Sequence, residues 1–124
     1  MVKKILVVDD EPAIVKMLES RLRNRGYEVT VASDGKSCLK KAIEERPDLI
    51  LLDIVMPELN GFEVTKRLKQ NANTKDIPVI MLTVLAERSD VSKGLEEGAR
   101  CFITKPFNAA DLLLEIDAAL SAGA

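Results

Sequence analysis

Three runs of four residues, Ile5 to Val8 (ILVV), Leu49 to Leu52 (LILL) and Val79 to Leu82 (VIML), are apolar at every position. A strand with one face in water alternates apolar with polar residues. An unbroken apolar run this short therefore belongs to a strand covered on both sides. The cover is written between the runs, where apolar residues recur at every fourth position: Ile14, Leu18 and Leu22, then Leu39 and Ile43, Val64 and Leu68, Val91 and Leu95, and Leu112, Ile116 and Leu120. Each set makes one stripe along a helix. Two weaker runs complete the pattern, Glu28 to Ala32 (EVTVA), which alternates, and Cys101 to Thr104 (CFIT), which is short. They have one less protected side and belong at the edges.

Gly26, Pro47, Pro78 and Gly98 punctuate these segments where helices should end and strands begin. The result is five βα units in one α/β domain over residues 1–120, with 121–124 (SAGA) as a short tail. A chain of 124 residues closes a single core without cross-links. Right-handed crossovers, with the all-apolar strands in the centre, give a parallel five-stranded sheet of order 2-1-3-4-5 between two helical layers. Ligands in such sheets sit at the carboxyl ends of the strands, where the winding reverses, here between the first and third strands.

Those ends carry the chemistry. Asp9, Asp10 and Glu11 follow the first strand, Asp53 the third, Thr83 the fourth and Lys105 the fifth. Each has an ordinary explanation alone: Asp10 or Glu11 caps a helix before Pro12, Asp53 sits in a turn, Thr83 ends a strand, and Lys105 is a solvated charge. Their coincidence at adjacent strand ends does not. Three carboxylates in one crevice repel one another unless a cation sits among them, and Mg²⁺ suits a site with few carboxylates and room for water and phosphate oxygens. A metal, a lysine and a hydroxyl around Asp53 suit phosphoryl transfer to that carboxylate.

Other chemistries are excluded or disfavoured. The chain has no histidine, so no Ser-His triad and no common zinc site. Cys38 and Cys101 lack the spacing of a metal cluster and are expected as reduced thiols, with no disulfide. A net charge of −2 gives this domain no general grip on nucleic acid. No apolar run approaches the roughly 20 residues that span a bilayer, and a cytoplasmic location is expected.

The words KILVVDDEP, PDLILLDIVMPELNGFEV, PVIMLT and ITKPF, in this order across essentially the whole chain, resemble the receiver domain of bacterial two-component response regulators. The resemblance implies a flavodoxin-like (βα)5 sandwich. It implies a phosphorelay protein that takes a phosphoryl group from a phosphohistidine of a sensor histidine kinase or histidine phosphotransfer protein, with Mg²⁺ required. The resemblance further implies no metabolic enzyme, but a protein catalysing only its own phosphorylation and slow dephosphorylation. Position by position, Asp53 is implied as phosphoacceptor and metal ligand, Asp10 as a direct ligand, Asp9 as a ligand through water, and Val55 as a ligand through its backbone carbonyl. Lys105 pairs with the phosphate, aimed by a cis bond to Pro106. The resemblance implies that Thr83 and Phe102 form the switch, which alters helix 4, strand 5 and helix 5, roughly Leu85 to Gly98 and Cys101 to Leu120. The output domain or effector, and dimerisation on phosphorylation, stay open.

Two positions depart from the family pattern. Val84 follows Thr83 where Ala, Gly or Ser is usual and narrows access to the phosphate, and Asn60 replaces Asp in the turn before Gly61. Val55 and Leu85, the variable border positions, are apolar and cannot orient water, so a long-lived phosphoaspartate is expected. The alternatives are a degenerate receiver that only binds partners and an Mg-dependent aspartyl-phosphate phosphatase. The latter wants a second Asp where Val55 stands, and an FMN domain would not place three carboxylates against a phosphate.

Overall fold

The computed structural model describes residues 2–84 and 88–122. Five strands, β1 (Lys4–Val8), β2 (Glu28–Ala32), β3 (Leu49–Leu52), β4 (Val79–Thr83) and β5 (Cys101–Thr104), alternate with five helices, α1 (Pro12–Asn24), α2 (Gly35–Glu45), α3 (Gly61–Gln70), α4 (Arg88–Glu96) and α5 (Ala109–Ala122). The sheet is parallel in the order β2-β1-β3-β4-β5, the flavodoxin-like arrangement expected from the sequence.

The all-apolar strands divide their residues between two layers, as the period of two requires. Leu6, Val8, Ile50, Leu52, Val79 and Met81 face α2 and α3, packing with Cys38, Ala42, Phe62, Val64 and Leu68. Ile5, Val7, Leu49, Leu51, Ile80 and Leu82 face α1 and α5, packing with Leu18, Leu22, Leu112 and Ile116. The latter layer is also tied at its surface, where Asp117 of α5 accepts hydrogen bonds from Tyr27 and Arg25 at the end of the α1–β2 turn. Burial, and then that bond to Asp117, push the Tyr27 phenol up to about 12.

The stripes on α2 and α4 run differently from the expectation. On α2, Cys38 and Ala42 are buried and Ile43 is exposed, because small residues let this helix lie close to the sheet. On α4, Leu95 is exposed and Gly94 faces inward, so near the sheet that a side chain there would meet Met81 Sδ at 2.8 Å and Phe102 at 3.5 Å. An i+4 pattern of large residues does not detect a helix seated on a glycine. Helix α5 continues to Ala122, two residues into the segment anticipated as tail, since Ser121 and Ala122 carry nothing that stops a helix.

Candidate functional site

At the carboxyl ends of the strands the backbone fixes two carboxylates side by side. The Asp53 N–H donates to the Val8 carbonyl at 3.0 Å, extending the β1–β3 ladder, and the Asp9 N–H donates to Ala32 at 3.2 Å, extending β1–β2. Both side chains are almost fully buried, at 3% exposure for Asp9 and 5% for Asp53, while Asp10 is exposed. Asp9 Oδ1 accepts from the Glu11 N–H at 2.9 Å and Asp53 Oδ1 from the Val55 N–H at 3.2 Å. Those bonds aim each carboxylate back across the strand ends.

The turn after Asp53 explains PELNG. Glu58 takes a positive φ of 67°, and Asn60 caps α3, its Oδ1 accepting from the Glu63 N–H at 3.0 Å. Asn therefore does the capping that Asp does at this position. The Gly61 N–H donates to the Ile54 carbonyl at 2.9 Å. A Cβ on Gly61 would lie 2.6 Å from the Asp53 carbonyl oxygen and 2.7 Å from Ile54 Cα, so glycine alone lets α3 start against the backbone that carries Asp53.

Lys105 enters from β5. Its N–H donates to the Thr83 carbonyl at 2.8 Å and its bond to Pro106 is cis. The ammonium lies 2.6 Å from Asp9 Oδ2, 3.3 Å from Asp53 Oδ2 and 3.3 Å from Glu11 Oε1, with only 7% of the side chain exposed. Burial pushes the Asp53 carboxyl up, Lys105 pulls it back and Asp9 pushes again, leaving it above the usual range. Burial draws the Lys105 ammonium down, but the hydrogen bond to Asp9 and the charges of Asp53 and Asp9 outweigh it, holding it above its ordinary value.

Carboxylate oxygens of Asp9, Asp10 and Asp53 lie within 4.8 Å of one another. That spacing and the hard oxygen donors fit a divalent cation such as Mg²⁺ completed by water. Thr83 is fully buried at the end of β4, and Phe102 is half-buried on β5, paired in register with Met81. Val55, whose N–H bonds Asp53, and Val84, which follows Thr83, are 51% and 62% exposed. Leu85 lies outside the described residues, as do 86 and 87 of the anticipated switch surface.

The structure thus brings Asp9, Asp10, Asp53 and Lys105 together as read from the sequence. It adds Glu11, whose place before Pro12 in the sequence suggests no more than the start of α1. Glu11 occupies the N-cap position, yet its side chain makes no capping bond and turns to Lys105 instead. Nothing in the local sequence separates those two uses of a glutamate.

Known proteins carry the same frame. The family model of the response regulator receiver domain matches residues 5–117. The alkaline phosphatase synthesis transcriptional regulatory protein PhoP of Bacillus subtilis is 48% identical over 120 residues, covering 97% of this chain and 49% of that protein. Protein PilH of Pseudomonas aeruginosa is 41% identical over 118 residues, covering 95% of this chain and 98% of PilH. The chain thus spans about half the length of PhoP and nearly all of PilH. Among solved structures, the receiver domain of the Pseudomonas aeruginosa sensor histidine kinase PA1611, with a magnesium ion coordinated in its active-site cleft, superposes with a TM-score of 0.89. It is 31% identical, with 98% of this chain and 99% of that one covered. A match over nearly the whole chain, on the sheet order and strand-end residues described above, makes this protein a member of the response regulator receiver-domain family.

Proposed function

We propose that this receiver domain accepts a phosphoryl group on Asp53 from a phosphohistidine of a sensor kinase or phosphotransfer protein. The observation that carries the reading is Asp53 itself, almost fully buried, with carboxylate oxygens of Asp9 and Asp10 within 4.8 Å and the Lys105 ammonium at 3.3 Å. A carboxylate so placed has counter-charge for a phosphoryl group already assembled. One Asp53 oxygen forms the new O–P bond as the donor's P–N bond breaks. The electron pair leaves on the imidazole nitrogen, which takes up a proton, and the product is an acyl phosphate. When bound, Mg²⁺ would be held by Asp10, Asp53 and the Val55 carbonyl, with Asp9 through water, and would supply charge neutralisation for the phosphoryl oxygens. Lys105 pairs with one of those oxygens and the Thr83 hydroxyl donates to another.

Movement of Thr83 draws Phe102 with it and shifts the population of the α4–β5–α5 surface, which is the face an output domain or effector would read. Among the described residues no helix is long and apolar enough to cross a membrane. PhoP is named a transcriptional regulator; DNA binding in a longer protein of this kind would fall to another domain.

Incubation with acetyl phosphate and Mg²⁺, followed by intact mass, tests the proposal. A gain of one phosphoryl group supports it, and no gain with any donor leaves a partner-binding receiver. Val84, which follows Thr83, should slow entry, so Val84→Ala is expected to raise the phosphorylation rate about threefold in the same assay. Val55 cannot orient an attacking water. Val55→Asn is expected to speed phosphate release roughly tenfold, read as decay of the phosphorylated mass.

A further inference from the structure

Lys105 has three ammonium protons and three carboxylate partners, so every donor is engaged. A phosphoryl oxygen can reach it only by displacing one of them. The Asp9 pair is the shortest and its two side chains are 7% and 2% exposed, so breaking it strands a buried carboxylate, the costly kind of loss. Asp53 is the group that receives the phosphoryl and leaves no choice. Glu11 is different: its side chain is 58% exposed and returns to water at only the small cost of one exposed ion pair.

Resting on the phosphoacceptor reading of Asp53, we propose that Glu11 is a specificity-determining positioning residue that occupies Lys105 at the mouth of the site and must be released before a phosphoryl oxygen takes its place. Two features of the fold set it apart from an incidental surface acid. Its side chain forgoes the capping bond natural to its position, and its own N–H holds Asp9, the deepest partner of the same lysine. Glu11 therefore shapes Lys105 from both sides, through its carboxylate directly and through its backbone by way of Asp9.

The consequence is discrimination against small anionic donors. Acetyl phosphate must approach past the exposed carboxylates of Asp10 and Glu11 and win Lys105 from the latter with no docking surface to help. The cost falls on capture of the donor rather than on transfer once Lys105 has turned. Removing the charge should lower the half-saturating donor concentration and leave the maximal rate nearly alone.

Glu11→Gln is the test, with Glu44→Gln on the exposed face of α2 as a control of equal charge change. There is no capping bond to lose, so the variant should fold as the wild type does. In the metal-free protein, the side-chain NMR resonances of Lys105 should shift in Glu11→Gln and stay fixed in Glu44→Gln. With Mg²⁺ present, the half-saturating acetyl phosphate concentration should fall about threefold to fivefold in Glu11→Gln, the scale of one exposed ion pair. The maximal rate should stay put, and the difference should narrow as salt is raised. An unmoved Lys105 resonance, an unchanged or higher half-saturating concentration, or an equal fall in Glu44→Gln would overturn the proposal. If the wild type itself takes up no phosphoryl group, the phosphoacceptor reading fails and takes this inference with it. A wild type that is phosphorylated and a Glu11→Gln that behaves identically overturns this inference alone.

Discussion

Asp53→Asn is expected to abolish phosphoryl uptake from acetyl phosphate entirely, with no mass gain at any donor concentration, and at the same time to raise the melting temperature of the metal-free protein. The loss follows from chemistry, since an amide has no anionic oxygen to form the acyl phosphate. The gain follows from electrostatics. The Asp53 carboxyl is raised by burial first, with the Lys105 attraction already counted against it, so its charged form is a net burden on the fold. A carboxyl raised in the folded state still holds its proton where the unfolded chain has released one. Stability therefore falls as pH climbs from the ordinary value of 3.8 through the raised folded value, and it stays lower at neutral pH. Asparagine keeps the shape and removes the penalty, while Lys105 retains Asp9 and Glu11. A rise of a few degrees is expected at pH 7, shrinking toward pH 3. Added Mg²⁺ should stabilise the wild type by mass action and the variant much less, because the variant lacks one of the three carboxylates proposed to hold the ion. Thermal melts with and without metal across that pH range check all three parts, and a variant less stable than wild type at neutral pH would contradict the electrostatic account.

Gly61→Ala carries the second large effect, and two physical terms oppose each other in it. In a helix, alanine is favoured over glycine by about 1 kcal/mol, so propensity alone predicts a more stable protein. The structure predicts the reverse. The added Cβ would sit 2.6 Å from the Asp53 carbonyl oxygen and 2.7 Å from Ile54 Cα, both backbone atoms that cannot swing aside. Relief requires α3 to back away from the loop that carries Asp53, and overpacking of this kind costs about 3 kcal/mol, more than the propensity gain. Urea denaturation should show a clear net loss of stability. The displaced Asp53 should also take up phosphoryl groups more slowly, by about tenfold, since small misplacement of a reacting group is expensive. A stabilised Gly61→Ala would show that the loop yields easily and that Gly61 has no hold on Asp53.

Most of the fold is legible because its signals are strong and local. ILVV, LILL and VIML admit no placement except between two helical layers, and strand ends fall within one residue of the sequence reading. What escaped was packing by small residues. Ala42 and Gly94 bring α2 and α4 against the sheet, whereas the larger neighbours Ile43 and Leu95 point outward. Hydrophobicity ranks the big side chain above the small one, and only the three-dimensional approach of backbone to backbone reverses that order. The cluster of Asp9, Asp10, Asp53 and Lys105 was legible because each residue directly follows a strand or lies next to one that does, so topology alone assembles them. Glu11 was not, because its contact depends on a side-chain rotamer choosing a lysine 94 residues away over its own helix end.

The two-layer division of the strands has a further consequence. A strand that is apolar at every position buries itself about equally well if it slides by one residue, so hydrophobicity leaves the alignment of β1 and β3 degenerate. The alternation that sends Ile5 and Val7, Leu49 and Leu51, and Cys101 and Ile103 toward α1 and α5 continues, two residues on, to Asp9, Asp53 and Lys105. A slip of either central strand would swing its aspartate toward the opposite layer and part it from the lysine. The charged residues at the rim thus act as the fiducial marks by which the two central strands, otherwise free to slide, find their alignment, and the residues proposed for signalling also serve the chain as its ruler.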